Sequence, residues 1–311
     1  MNDASNETAL SQMKFGIGQP VRRTEDPTLV RGLGRYNDDI NLKGQAHAVM
    51  VRSRDAHGVI RAVDIEAAKG MPGVLAIYTG ADLKAYGGLK CPLPLKNKDG
   101  SPIKYVPRPA LATDKVRFVG DPVACVIAET IAQAKDAAEV VALDIEPLPA
   151  VVEARDAVKP DAPKLYDEVA GNVALDWRWG NDDNHAKVEA AFKGAAHVTK
   201  FAAVNQRLVV NSIEPRSAIG EYDKSNEKWT LHSSSQGVFG LKNFLKDVLN
   251  APADKVRVLT GNVGGSFGMK AAMYPEYVCI MHGAKQLGRP VKWTDERSGS
   301  CLLYTSPSPR D

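Results

Sequence analysis

Between Val263 and Lys270 the chain reads Val-Gly-Gly-Ser-Phe-Gly-Met-Lys, with glycines at 264, 265 and 268. A backbone so poor in β-carbons turns sharply and approaches another molecule closely. Turns of this kind direct several main-chain N–H groups one way, which suits oxyanions, phosphates and metal-oxo groups. Two readings are open: a cofactor loop, or a tight strand-to-helix turn with no ligand, which the glycines alone favour. Two nucleotide motifs fail. A P-loop ends Gly-Lys-Ser/Thr, whereas Lys270 follows Met269 and precedes Ala271. The dinucleotide fingerprint G-x-G-x-x-G does not fit Gly264, Gly265 and Gly268.

With 311 residues, 44% hydrophobic and 25% charged, the chain has the composition of a globular protein and room for two cores. A net charge of +3, without a dense Lys/Arg run, gives no nucleic-acid surface. No apolar run approaches the roughly 20 residues of a membrane span. Arg22-Arg23 is followed by Thr24-Glu25-Asp26-Pro27, not by the apolar core of an export signal, so the expected location is cytoplasmic. Cys91, Cys125, Cys279 and Cys301 are too far apart for a C-x-x-C site and read as buried thiols. The histidines, among them His47, His57, His185 and His282, show no zinc spacing, and no direct metal ligand is expected.

Residues 1–17 are polar and aperiodic and read as a disordered lead. Periodicity predicts strands over Ala46–Arg52, Ile60–Ile65 and Val74–Thr79, with a helix over Glu66–Met71. The long Pro/Gly/Lys-rich stretch Gly87–Pro109 reads as a functional or contact loop. Strand character resumes over Val116–Glu129, and Thr130 caps a helix over Ile131–Val140. Another strand follows over Val141–Ile145. These form an α+β domain over 18–155, followed by a Pro-containing linker over 156–172. Beyond it come a short helix over Val188–Phe192 and strands over His197–Asn205, Ala218–Tyr222 and Trp229–Ser233. A helix over Val238–Leu249, a strand over Val256–Leu259 and a helix over Tyr274–Leu287 complete the second domain, 173–297.

The succession of strand, Gln236, helix, strand and Gly-Gly-x-Phe-Gly is identified as that of the molybdenum-binding large subunits of the xanthine dehydrogenase, aldehyde oxidase and carbon-monoxide dehydrogenase family. The first domain resembles the family's α/β hammerhead domain through Gly32-x-Gly34-Arg35-Tyr36, Arg52-Ser53-x-x-Ala56-His57, Pro72-Gly73-Val74 and Val119-Gly120-Asp121-Pro122-Val123-Ala124. The second resembles the first part of the molybdopterin-binding domain. Its motifs are Ile213-Glu214-Pro215-Arg216-x-Ala218, Ser235-Gln236, Gly264-Gly265-x-Phe267-Gly268-x-Lys270 and Leu287-Gly288-Arg289-Pro290-Val291-Lys292-Trp293. In the family's order and spacing, these span about residues 18–297.

The resemblance implies a molybdenum–molybdopterin cofactor in its cytosine dinucleotide form, bound through Gln236, Gly265, Phe267, Gly268 and Lys270. Gln236 would hydrogen-bond an oxo ligand of molybdenum, its amide able to donate and accept; the alternative is a polar cap on the helix from Val238. The Phe267–Gly268 backbone would lie beside the metal, and a side chain at 268 would intrude on cofactor or substrate volume. Glu214 and Phe267 are the substrate-channel candidates, with Glu214 alternatively a solvated carboxylate on a bend. Lys270 would neutralise cofactor phosphate or lie on the surface. Family members often carry a carboxylate after this lysine, aimed at purine-like substrates. Ala271 there points away from xanthine, toward aldehydes, N-heteroaromatics and carbon monoxide.

Family large subunits run more than twice this length and carry their general base, a glutamate, near the far end, so no catalytic residue is expected here. The stretch Ser298–Asp311 lacks a helical or strand period and reads as unrelated read-through, or as a genuine disordered terminus. The expectation is an N-terminal fragment, inactive alone. The rest would receive electrons from substrate oxidised with water's oxygen and pass them to an iron–sulfur small subunit and an FAD-binding medium subunit, in a dimer of heterotrimers. The alternative is a non-catalytic scaffold that docks those redox subunits.

Overall fold

A seven-stranded mixed sheet carries the site, and its strands come from both sides of the expected linker. The computed structural model describes residues 22–91, 94–204 and 209–303, with side chains as far as residue 300; the expected lead over 1–17 lies outside them. The described residues 22–35 form a separate unit containing one helical turn, Asp26–Leu29. In the unit from Tyr36 onward the strands are β1 (Ala46–Arg52), β2 (Gly58–Asp64), β3 (Val74–Thr79), β4 (Lys115–Val116), β5 (Pro122–Ala128), β6 (Ala142–Pro147), β7 (Ser217–Asp223), β8 (Lys228–Ser233), β9 (Val256–Leu259) and β10 (Val291–Thr294). The large sheet runs β3-β5-β1-β10-β7-β8-β9, and a smaller one runs β4-β2-β6. Two joins are parallel, β1 with β10 and β8 with β9.

Strand β5 has all seven residues buried, as befits a strand paired on both edges and covered on both faces. The helix α1 (Ile131–Val140) follows at once. Thr130 Oγ1 accepts from Gln133 N at 3.3 Å while Gln133 Oε1 accepts from Thr130 N at 3.1 Å, a reciprocal cap. Four further helices of seven residues or more complete the described frame: α2 (Asp182–Gly194), α3 (Val238–Val248), α4 (Pro275–Leu287) and α5 (Arg297–Leu303). Helix α4 is buried from Pro275 through Ala284, so its sequence shows little amphipathic contrast. It packs against the sheet where Gly283 leaves room, since a β-carbon there would lie 2.3 Å from Ile127 Cδ1. Gly288, at φ +64°, ends it in the left-handed conformation usual for a helix terminus.

The α+β class and most strands follow the sequence pattern, with four differences. Helix α2 starts at Asp182, not Val188. An Asn181/Asn184 capping box and two acidic residues in the first turn support the extra turns. No strand forms over 197–204, where the alternating residues find no neighbouring strand to satisfy their backbone groups; Asn205 lies outside the described residues. Strand β10, unanticipated, is only four residues long and pairs with β1 across more than 240 positions of sequence. Finally, Ser298–Leu303 is helical. Arg297 Nη1 donates to Ser212 O at 2.7 Å and Ser300 Oγ to Asp295 Oδ2 at 2.6 Å, tertiary ties that periodicity does not reveal. Among the described residues no helix is long and apolar enough to cross a membrane.

Candidate functional site

Strand β8 ends at Ser233, and Ser234–Gly237 leads into α3; strand β9 leads into the 260–274 segment, which leads into α4. The two turns meet. Gln236 N donates to Lys270 O at 3.1 Å, and Ser235 N to Thr260 Oγ1 at 3.4 Å. Behind them passes the Ser212–Arg216 bend, which enters β7. Glu214 N donates to Gly264 O at 3.0 Å, locking the bend to the glycine loop. Gly264 is required by this approach, because a β-carbon would lie 2.6 Å from Glu214 Cβ.

Glu214 is buried and not a solvated carboxylate. It is 8% exposed, and its Oε2 accepts from Lys270 Nζ at 2.6 Å and from Gly264 N at 2.8 Å. Its Oε1 accepts from Asn37 N at 3.3 Å. Lys270 is not on the surface, for its side chain is wholly buried on Glu214. Burial lowers the lysine's pKa, opposed by the hydrogen bond and charge of Glu214. Ser266 Oγ accepts from Lys270 N at 3.3 Å, and Tyr274 Oη donates to Met269 O. The loop's far end is thus tied from three directions.

Its outer side is different. Gly265 and Gly268 have φ of +96° and +92°, and Phe267, a non-glycine residue, sits at +49°, a conformation that costs an L-residue about 1–2 kcal/mol. Phe267 is 77% exposed. The N–H groups of Gly265, Ser266, Phe267 and Gly268 have no hydrogen-bond partner among the described residues. The Gln236 side chain is exposed and likewise without a partner there. It does not cap α3, whose N-cap is Gly237 with no side-chain cap bond. A strained backbone, a run of unpaired donors and an unpaired amide therefore lie on adjoining turns, an arrangement suited to an oxyanion or metal-oxo group.

Beneath the loop lies a group of charges that the sequence did not reveal as a site. Arg216, 1% exposed, pairs with Asp295 and lies 4.0 Å over the Tyr274 ring. Arg52 on β1 pairs with Glu276 on α4 at 2.6 Å and approaches Asp295 at 4.0 Å. Burial works against the charge on Arg216, but Glu276 and Asp295 outweigh it and raise its pKa. Glu276 is held low: burial pushes it up, and Arg52 and Arg216 overcome that. Burial wins at Asp295, which is raised despite Arg216. The sequence signals for this group were Arg216 within the Ile-Glu-Pro-Arg motif and Arg52 within Arg-Ser-x-x-Ala-His, neither of which showed that the residue was paired. The partners of Arg216 stand 60 and 79 positions further along the chain. Among the thiols, Cys125 and Cys279 are buried as expected, while Cys91 is partly exposed.

The chain's two halves match two family descriptions: "Aldehyde oxidase and xanthine dehydrogenase, a/b hammerhead domain" over residues 31–149 and "Molybdopterin cofactor-binding domain" over 165–310. The nicotine 6-hydroxylase large subunit of Paenarthrobacter nicotinovorans is 34% identical over 92% of this chain and 34% of its own length. The carbon monoxide dehydrogenase large chain of Hydrogenophaga pseudoflava is 33% identical over 88% and 34%. Quinoline 2-oxidoreductase from Pseudomonas putida 86 superposes with a TM-score of 0.82 at 30% identity, covering 93% of this chain and 36% of that one. The chain thus spans about a third of the length of the relatives it matches. With both halves matched in order and the fold shared, the chain belongs to the family of molybdopterin-binding large subunits of xanthine dehydrogenase, aldehyde oxidase and carbon-monoxide dehydrogenase.

Proposed function

We propose that this chain contributes the hammerhead domain and the first part of the cofactor cradle to a molybdenum hydroxylase. The observation that carries the proposal is the row of unpartnered N–H groups from Gly265 to Gly268 beside the unpartnered Gln236 amide. These are neutral donors on an exposed turn, and they fit the oxo and pyranopterin-dithiolate surroundings of a molybdenum centre better than a bare cation. When bound, the cofactor supplies the two-electron oxidation of a substrate C–H bond, or of carbon monoxide, with oxygen from water.

The chain's own residues orient and stabilise. Gln236 and the Phe267 and Gly268 N–H groups would hold the cofactor by donating to its oxygen, from a loop whose ends are already fixed by the protein. Gly265, in the same turn, keeps the backbone close. Phe267, with its ring exposed, forms part of the substrate entrance. Glu214, bound to Lys270 and two backbone donors, is not the general base; that base belongs to the remaining two-thirds of the enzyme. Ala271, which offers no carboxylate, favours aldehydes, N-heteroaromatics or carbon monoxide over xanthine. Electrons leave for an iron–sulfur and an FAD subunit, in a cytoplasmic dimer of heterotrimers with the cytosine dinucleotide cofactor.

The test is purification of the full-length complex from its host, followed by metal analysis and acid release of nucleotide. About one molybdenum and one cytidine monophosphate per large subunit are expected. A complex without molybdenum ends the proposal.

A further inference from the structure

We propose that Glu214 and Lys270 form a positioning pair. Their buried ion pair sets the height and tilt of the glycine loop, and Lys270 makes no contact with the cofactor. This rests on the reading of the loop as a cofactor cradle. Among the described residues, Glu214 is the one side chain that grips the loop at both ends: at Gly264 N through Oε2 at 2.8 Å, and at Lys270 Nζ through the same oxygen at 2.6 Å. Its other oxygen takes Asn37 N at 3.3 Å, so the carboxylate cannot swing away without losing a third donor. Between its two grips lie the positive-φ residues Gly265, Phe267 and Gly268, of which Phe267 is strained, and their backbone geometry is dictated by where the ends are held.

The pairing explains why a lysine, and not a smaller polar group, closes the motif. Lys270 is 1% exposed, and its ammonium has an acid at contact distance; an uncompensated charge at this depth would be ejected or neutralised. Its amide and carbonyl take part as well. The N–H reaches Ser266 Oγ, and the O receives Gln236 N at 3.1 Å. One residue therefore links the carboxylate, the loop and the backbone of Gln236. A displacement of the pair moves the row of donors and the Gln236 amide together.

The experiment uses the full-length complex and compares Glu214→Asp, Glu214→Gln, Lys270→Met and the double variant Glu214→Gln/Lys270→Met. Glu214→Asp keeps both charges while withdrawing the carboxylate by one methylene. It is expected to lower kcat per bound molybdenum by about 10²-fold, the usual cost of a 1 Å misplacement, with KM little changed. Each neutralising single variant is expected to fall at least as far. The neutral double variant should exceed both singles in kcat and in melting temperature, because neither partner is left buried alone. Molybdenum and nucleotide content should stay near wild type in Glu214→Asp and in the double variant.

Wild-type turnover in Glu214→Asp would overturn the positioning role. So would additive losses in the double variant. Loss of nucleotide from Lys270→Met with full retention in Glu214→Gln would show a phosphate contact instead. A wild-type complex lacking molybdenum would defeat the cradle reading, while the melting-temperature cycle would still test the pair.

Discussion

The two sides of the glycine loop obey opposite rules. Beneath it, every charged side chain has an opposite charge in contact: Lys270 with Glu214, Arg216 with Asp295, Arg52 with Glu276. On its outer side, four successive N–H groups and the Gln236 amide have no partner among the described residues. Folding alone favours giving buried charges a partner, and the inner side follows that rule for its ion pairs, although Arg216 Nε and Nη1 and Glu276 Oε2 are buried without a hydrogen-bond partner among the described residues. Exposed donors can be left to solvent at no cost. Holding them in a strained run with a non-glycine residue at positive φ is not free, and strain of this kind concentrates at ligand sites. The comparison separates residues that make the loop rigid from residues that the rigid loop presents.

If that division holds, substitutions below the loop act on stability and substitutions above it act on turnover. The largest expected effect belongs to Arg216→Met, which strands Asp295 and weakens the hold on Glu276. Breaking a buried pair from one side typically costs about 3–5 kcal/mol, and chemical denaturation of the complex would measure it. A loss under about 1 kcal/mol would mean that these charges are not mutually dependent. Next comes Gln236→Ala on the outer side. Loss of one preorganised donor lowers turnover by about 10²–10³-fold, while the melting temperature should hold, since Gln236 neither caps α3 nor bonds a neighbour through its side chain. Unchanged turnover per molybdenum with a lowered melting temperature would reverse the assignment.

A carboxylate without a cation in contact sharpens the rule from the other direction. Asp121, 4% exposed, accepts from Arg117 N at 3.1 Å and has no ion-pair partner among the described residues. Burial pushes its pKa up to about 6, against the more distant pull of Arg108, Arg117 and Arg52. Between the unfolded and folded pKa values the native state holds a proton that the unfolded chain has released. Stability contributed by that proton is therefore complete below about pH 4 and lost as pH rises to about 6. The shift corresponds to on the order of 2–3 kcal/mol. Asp121→Asn should remove that slope and be at least as stable as wild type at pH 7. A wild-type profile without the slope would place the Asp121 pKa near its ordinary value.

How much of this was written in the sequence depends on the range of the forces involved. Strands β1, β3 and β9 and the Thr130-capped α1 were readable to the residue, because alternation, 3.6-residue periodicity and capping are local. The loop was legible through its glycines, and its alignment with Gln236 through the family resemblance. The inner side was not. Glu214 and Lys270 stand 56 positions apart, Arg216 and Asp295 79, and nothing near either residue says that it is paired. The same reason hid β10, whose four residues become a strand only between β1 and β7. Conversely, 197–204 carries a strand-like pattern but finds no neighbour among the described residues, and α2 forms from its cap and charges with no residue buried.

The smallest expected stability effect is at Phe267, where the comparison meets its most demanding case. Phe267→Gly relieves an L-residue at φ +49°, worth about 1–2 kcal/mol. It also adds unfolded-state entropy, which costs about 0.4–1 kcal/mol. Little apolar contact is lost, because the side chain is 77% exposed. The two terms nearly cancel, and a net change within about 0.5–1 kcal/mol, of either sign, is expected from denaturant melts. Function should respond more. Without the ring the substrate entrance widens, so KM should rise and discrimination among ring sizes should weaken, with kcat per molybdenum changing less. Phe267→Ala serves as the control, since it removes the ring but keeps the strain. Equal KM values in the two variants would assign the effect to the aromatic ring. A lower kcat in Phe267→Gly alone would assign it to the fixed backbone, and would make the strain itself part of how the loop holds its donors in place.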